Sequence, residues 1–241
     1  MTESTTVCII GAGPAGLTAG IFTARAGLET RILNTGESIL RRNAHLENLP
    51  GFPAGVNSRL FLEMLTDQAE RNGCELQTAA VTRVTTDESD NILVKTEDEA
   101  IATEYVICAS WAESDYLDVD VERLNRGSKT YIEADTDGYT GVSGVYVAGR
   151  LAGEPHQTVV SAGHGAKVGL AVIHDSDVPF YNDWVAPEGY FTGRGRDVPP
   201  GCEEIDEQER TRRERKSLET MQAYFSEPHP DAPTQHPSVE E

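Results

Sequence analysis

The residues most capable of chemistry lie near the start of the chain, in the run Gly11-Ala12-Gly13-Pro14-Ala15-Gly16. This is the G-x-G-x-x-G spacing of a loop that cradles a pyrophosphate. Gly11 permits a tight turn out of a strand. Gly13 lets the backbone approach the phosphates, and Gly16 allows close packing of helix on strand. The helix that opens at Pro14 and Ala15 offers free N–H groups and a favourable dipole to an anion. Alone the motif is a weak signal, and a glycine turn that keeps a fold without its ligand has the same spelling. Its setting, between an apolar run and a small-residue helix with a second strand on cue, implies dinucleotide binding. The acidic residue expected at the end of that second strand, where it would bond a ribose, is replaced by Asn34. The motif therefore leaves FAD and NAD(P) both open.

The other reactive side chains are scattered. Cys8, Cys74, Cys108 and Cys202 include no C-x-x-C pair, so no redox dithiol or zinc knuckle is written locally. Cys8 and Cys108 sit in apolar runs and read as small core residues. His45, His156 and His164 are candidates to donate a proton, against the commoner reading of solvent-facing or helix-capping histidines. His229 and His236 are too far apart to suggest a metal site. Arg41-Arg42 has the charge for a phosphate but also reads as a solvated pair. No side chain is assigned as acid, base or nucleophile.

The elements that must position these residues follow from periodicity. Thr6–Ile10 is a β-branched run buried on both faces, as in a parallel strand. A small-residue helix follows Gly16 and ends at Gly27, and Glu29–Leu33 is the second strand. Residues 35–58 are punctuated by Pro50, Gly51, Pro53 and Gly55. Ser58–Arg71 has helical spacing, with Ser58 as its N-cap. Strands are expected at about 75–85, 91–96 and 101–109, with turns at Asp87–Asn91 and Glu97–Glu99, an antiparallel meander. Gly144–Gly149 is a further buried strand, and Ser161–Ile173 a closing helix. Beyond about 175 the chain turns to clustered aromatics (Phe180, Tyr181, Trp184, Tyr190, Phe191). A charged helix over Glu203–Phe225 and a mobile proline-rich tail follow.

Composition narrows the function classes. Forty acidic residues oppose twenty basic ones, a formal net charge of -20, with only four lysines. A basic partner, a disordered chain and a halophilic surface are the three readings. The acids are interleaved with good strands, which disfavours disorder. Few lysines and many acids resemble the composition of proteins from a salt-rich cytoplasm. Nucleic-acid binding is disfavoured because phosphate contacts need a basic face. No apolar run is long enough to span a bilayer, and MTESTT lacks the features of a secretory signal. A cytoplasmic location is expected.

Three blocks carry a resemblance to a known family. They are GAGPAGLTAGIFTARAGL, LENLPGFPAG (residues 46–55) and TGVSGVYVAGR…HQTVVSAGHGAKVG (140–169). Together they resemble the FAD domain of the thioredoxin reductase-like group of pyridine nucleotide-disulfide oxidoreductases, over residues 5–175. The resemblance implies FAD as cofactor. It implies a three-layer α/β, Rossmann-like FAD/NAD(P)-binding domain in residues 1–175, with a central parallel sheet and an antiparallel β-meander. Residues 176–241 would be a C-terminal extension. The candidate cofactor-binding residues, taking the motif and the resemblance together, are Gly11, Gly13, Pro14, Ala15, Gly16, Asn34, Asn48, Gly149, Arg150, His156, Gln157 and Thr158. Asn48 would approach the flavin or its ribityl chain, Gly149 the pyrophosphate. Gln157 and Thr158 would present backbone N–H groups to the pyrimidine edge of the isoalloxazine, where a helix N-terminus stabilises a reduced flavin.

The departures from that family bear on the reaction. Between Ser110 and Thr140 the family inserts a nicotinamide domain, which needs on the order of a hundred residues; about thirty are present. The C-x-x-C dithiol is missing with it. The family's A-G-D is Ala148-Gly149-Arg150, and arginine cannot accept a hydrogen bond though it can pair with a phosphate. If FAD takes the family's pose, Arg150→Asp should tighten it; weaker binding would assign Arg150 to a phosphate. The glycine loop after the second strand becomes Glu37–Arg42, and A-T-G becomes Cys108-Ala109-Ser110. The expectation is an FAD-dependent oxidoreductase without thiol-disulfide activity. It would pass electrons from an external donor (free NAD(P)H, a ferredoxin-like protein or another subunit) to an unknown acceptor. The alternative is a degenerate flavoprotein scaffold serving as a nucleotide-binding regulatory module or complex subunit. A homodimer is the family's usual state.

Overall fold

The computed structural model describes residues 3–36, 38–86, 91–127 and 129–239. Glu37 and most of the turn expected at 87–91 lie outside the described residues. β1 (Glu3–Ile10) pairs in parallel with β2 (Thr30–Asn34) and with β6 (Ala100–Cys108). β3 (Glu75–Thr78) is parallel to β2, and β9 (Val145–Val147) is parallel to the end of β6. β4 (Val81–Thr86) and β5 (Ile92–Thr96) complete the antiparallel meander with the start of β6. The seven-stranded sheet runs β3-β2-β1-β6-β5-β4, with β9 also on β6. This is the mixed α/β, mostly parallel architecture expected. One strand differs: the stretch at 75–85 is two strands. Ala79-Ala80 breaks it, so its first part extends the parallel sheet and only its second part joins the meander.

β1 shows why its sequence is apolar throughout. Val7 and Ile9 face the cluster formed by the helices, Cys8 and Ile10 the cluster under the meander, and all four are buried. A strand covered on both faces has no solvent side to alternate toward. The helical layer consists of α1 (Pro14–Arg25), α2 (Ser58–Arg71) and α3 (Thr158–Asp175). On the other face Val84, Ile92, Val94 and Ile101 pack with Leu117, Val121 and Leu151. α3 closes directly on α1 because two glycines face it. A Cβ on Gly165 would lie 2.1 Å from the Ala15 carbonyl oxygen, and one on Gly169 3.0 Å from that of Ala19.

The helix boundaries show local chemistry winning over the expected ones. The N-cap of α2 is Asn57, not Ser58; its Oδ1 accepts from the Arg59 and Leu60 N–H groups at 2.9 and 3.3 Å. Ser58 is the first helical residue, and its hydroxyl donates to the Asn43 carbonyl at 2.7 Å. α3 begins at Thr158 rather than Ser161. The charged helix, α4 (Glu207–Tyr224), begins at its Asp206 cap, whose side chain accepts from the Glu209 N–H. The residues before it instead form β11 (Cys202–Ile205), parallel to β10 (Trp184–Pro187).

Residues beyond α3 pack on the helical layer. Arg25 holds Asp183 with two hydrogen bonds of 2.5 and 2.7 Å. Tyr224 donates to Asp67, Phe225 packs on Phe52 at 6.2 Å, and His229 Nε2 lies 2.8 Å from Glu63. Trp184, Tyr190 and Phe191 stack edge-to-face with each other. The aromatic group does not lie on the meander face of the sheet: residues 117–121 cover that face, and Asp183 and Phe180 tie the aromatics to the helical layer. No helix among the described residues is long and apolar enough to cross a membrane.

Candidate functional site

The carboxyl ends of β1, β2, β6 and β9 point the same way, and a cleft of about 520 Å³ opens beyond them. This is where open α/β sheets bind ligands, and the volume is that of a cofactor pocket. Three glycines shape the loop at its floor, Gly11 and Gly13 lining it and Gly16 packed behind. Gly11 has φ of +109°, and a Cβ there would meet the Ala109 carbonyl oxygen at 2.6 Å. Only glycine turns the chain at that spot. A Cβ on Gly16 would lie 1.9 Å from the Gly11 oxygen. Gly13, the N-cap of α1, faces space: the nearest atom to a Cβ there is Ser38 Oγ at 3.7 Å. It offers no side-chain cap, so the first N–H groups of α1 are left for a ligand. These are the features a pyrophosphate requires, and the cradle fits the dinucleotide.

The other expected residues fall in three groups. Pro14, Ala15, Asn34, Arg150, His156, Gln157 and Thr158 line the same cleft as Gly11 and Gly13. Gly16 and Gly149 lie behind the wall. Gly149, with φ of +66°, would bring a Cβ to 2.8 Å from that of Ala15. Asn48 does not line the cleft; its Nδ2 donates to Gln157 Oε1 at 2.7 Å and so steadies the entry to α3.

Asn34 braces the loop. Its Oδ1 accepts from Ala12 N–H at 3.4 Å and its Nδ2 donates to the Gly36 carbonyl at 2.6 Å. Arg150 follows β9. Its Nη2 donates to the Tyr131 hydroxyl at 2.5 Å and its Nη1 to the Glu154 carbonyl at 2.9 Å. The guanidinium carbon lies 4.9 Å from the centre of the Tyr131 ring, and Nε is buried with no hydrogen-bond partner. The N-terminus of α3, at Gln157 and Thr158, also lacks a side-chain cap.

One histidine differs from the expected solvent-facing residues, whereas His156 remains exposed at the cleft. His164 accepts a hydrogen bond at Nδ1 from the Gly149 N–H, 2.9 Å away. Burial, more than any neighbouring charge, pushes its pKa below the usual imidazole value. An imidazolium has no lone pair to accept that bond. The folded state therefore prefers the neutral ring. Its contribution to stability is full above about pH 6.5 and is lost as pH falls below that value. His164→Gln should flatten part of the fall in Tm between neutral and acidic pH; an identical pH profile in the two proteins would show that His164 does not titrate in this window. His156 is likewise held down by burial and then by Arg150 and Lys129. Its ring meets Trp111 edge-on at 4.2 Å.

Trp111 is a wall residue that the sequence did not expose. It has φ of +63°, the left-handed conformation that costs a bulky residue of order 1–3 kcal/mol. The position that favours glycine is thus Trp111, one residue beyond the Cys108-Ala109-Ser110 suggested by the resemblance. Ser38, Ala79-Ala80, Ser110 and Tyr116 also line the cleft. Ser110 Oγ and the Tyr116 hydroxyl are 2.6 Å apart. Only the alanine break between β3 and β4 had a readable sequence signal.

Comparison with known proteins agrees with this geometry. A pyridine nucleotide-disulphide oxidoreductase family model matches residues 57–165, and an FAD binding domain model matches residues 4–45. Thioredoxin reductase from Rickettsia prowazekii is 34% identical over 142 residues, 58% of this chain and 46% of that protein. The Streptomyces coelicolor thioredoxin reductase is 39% identical over 79 residues, 32% of this chain and 24% of that one. The chain thus spans about half the length of the curated relatives it matches. A thioredoxin reductase structure from Gloeobacter violaceus superposes with a TM-score of 0.67 at 17% identity, covering 76% of this chain and all of that one, a likeness of fold. With the glycine cradle, these matches indicate FAD as the cofactor, and residues 4–165 fit an FAD domain of the thioredoxin reductase-like group of pyridine nucleotide-disulphide oxidoreductases.

Proposed function

We propose that the chain is an FAD-dependent oxidoreductase that takes electrons from a separate donor and delivers them without using thiols of its own. The observation that carries this reading is the connection between β6 and β9. Among the described residues of 109–144 there is one hairpin, β7 (Arg123–Arg126) and β8 (Lys129–Ile132), in the place where the resemblance puts a nicotinamide domain. The cysteines support it. Burial pushes the Cys8 and Cys108 thiols up to about 12 and Cys74 to about 11, far from the thiolate that exchange requires. Cys202 stands apart in β11.

Bound FAD supplies reversible electron transfer. The chain's part is to hold and tune it. Gly13 and the open end of α1 receive the pyrophosphate. The open end of α3, at Gln157 and Thr158, places its dipole where negative charge on a flavin is stabilised. Arg150 brings a fixed positive charge to the same cleft, and His156 walls it. We assign residues 176–241 to a C-terminal extension braced on the helical layer. The acidic composition fits a salt-rich cytoplasm.

The test is to purify the protein without added cofactor, in molar salt, and record its absorbance. A flavin spectrum is expected, bleached by a chemical reductant; a colourless protein that takes up no FAD would sink the reading. The second reading, a regulatory nucleotide-binding scaffold, is favoured by Arg150 standing where the family has an acceptor. Turnover of NADPH or NADH with an artificial acceptor would exclude it.

Arg150→Asp separates the two poses. Arg150 is built into its wall by Tyr131 and Glu154, so the carboxylate would leave the Tyr131 hydroxyl without its donor and put a negative charge beside a phosphate. FAD should bind at least about tenfold more weakly, the loss of one charge-assisted hydrogen bond. Tighter binding in a fluorescence titration would restore the family's pose.

A further inference from the structure

The segment that lines the cleft after β2 has little of its own to hold it. Ser38, Ile39 and Leu40 face the cleft, yet no described residue between Asn34 and Leu46 pairs in a sheet. A single helical turn, Ile39–Arg42, closes on itself through the Arg41 and Asn43 N–H groups, which donate to the Ser38 and Leu40 carbonyls. Arg59 braces this turn from α2: its Nη1 donates to the Asn43 carbonyl at 2.7 Å and to that of Arg41 at 3.3 Å.

The end of the chain grips the same turn from outside. Asp231 Oδ2 lies 3.2 Å from Arg41 Nη2, and the Thr234 N–H donates to the Arg41 carbonyl at 3.3 Å. His229 seats the tail there. Its side chain is 4% exposed, in a stretch whose neighbours are exposed. Nδ1 accepts from the Asp231 N–H at 3.1 Å, which leaves Nε2 to donate to Glu63 of α2 at 2.8 Å. The tail thus bridges α2 to the turn and closes on Arg41, next to the cleft-lining Leu40. Polar contacts at the surface open far more readily than a core. Pro228, Pro230 and Pro233 restrict the released segment, which lowers the entropy lost when it docks again.

We propose that residues 229–234 form a latch on the cofactor-lining turn, with His229 and Asp231 as its positioning residues. Latched, the tail holds Ser38–Leu40 against bound FAD; unlatched, it lets the cofactor exchange. The inference rests on the flavoprotein reading above and gives part of the C-terminal extension its role.

The experiment follows FAD release from the loaded full-length protein on dilution, by the rise in flavin fluorescence. Amide hydrogen exchange of residues 38–43 is read in the same variants. His229→Ala and Asp231→Lys should each release FAD about fivefold faster, the equivalent of one hydrogen bond, and should exchange the Arg41 and Asn43 amides faster. The absorbance of the bound flavin should stay as in the parent, because the tail does not line the cleft. His229→Gln keeps a donor for Glu63 and an acceptor for the Asp231 N–H, so it should stay close to the parent. Asp206→Ala is the control: it removes the cap of α4 and lowers Tm without touching the turn. Unchanged release in both tail variants overturns the latch. So does an equal increase in Asp206→Ala, which would reduce the effect to general instability. A protein that takes up no FAD, with exchange at 38–43 still quickened by the tail variants, would uphold the grip of the tail on the turn and overturn only the flavoprotein reading.

Discussion

Gly16→Ala should abolish flavin retention. The added methyl would sit 1.9 Å from the Gly11 oxygen and 3.3 Å from Ile9 Cγ2. The first contact is with backbone, so no side-chain rotation relieves it. Either α1 retreats from the sheet or the 11–13 turn deforms, and each moves the N–H groups that face the pyrophosphate. Gly16 lies inside α1, where alanine is favoured by about 1 kcal/mol. That gain is smaller than the overpacking penalty, about 1–3 kcal/mol or more. The control is Gly163→Ala in α3, where nothing lies within 4 Å of an added Cβ. It should keep its flavin and gain slightly in Tm. Full flavin absorbance in Gly16→Ala would show that the loop is not the cradle.

Gly165→Ala should produce the second large loss. Its methyl would fall 2.1 Å from the Ala15 oxygen and 2.8 Å from the Ala15 carbonyl carbon. Ala15 belongs to the first turn of α1, and α3 begins seven residues before Gly165, so the substitution forces apart the two helices whose N-termini share the cleft. Overpacking of about 1–3 kcal/mol corresponds to a fall in Tm of several degrees for a chain of this length. Flavin should be lost on dilution more readily than from the parent, because both dipoles shift relative to the ligand. An unchanged Tm would mean that α1 and α3 can part at no cost, contrary to a core in which Ala15, Val168 and Val172 are all buried.

Much of the architecture was legible because its signals are local. The glycine spacing at 11–16, the doubly buried run at 6–10 and the helical spacing at 58–71 each report on neighbours within a few residues. The family resemblance added the cofactor. The errors lie where a nearby competitor or a distant partner decided. Asn57 took the cap of α2 because it bonds two N–H groups while Ser58 is drawn to Asn43. Residues 202–205 became a strand because they pair with Trp184–Pro187 across the chain.

The same division holds for the site. By itself the sequence determined a dinucleotide cradle, since the turn, the phosphate approach and the close packing are backbone requirements met by three glycines in one short segment. The tertiary structure decided what surrounds it. It turned Asn34 inward to brace the loop, seated Arg150 on Tyr131, gave His164 to Gly149, and set Trp111 between Lys129 and His156. Those pairings come from strand order and hairpin register. Residues far apart in sequence meet only when the sheet brings the ends of β1, β2, β6 and β9 to one edge.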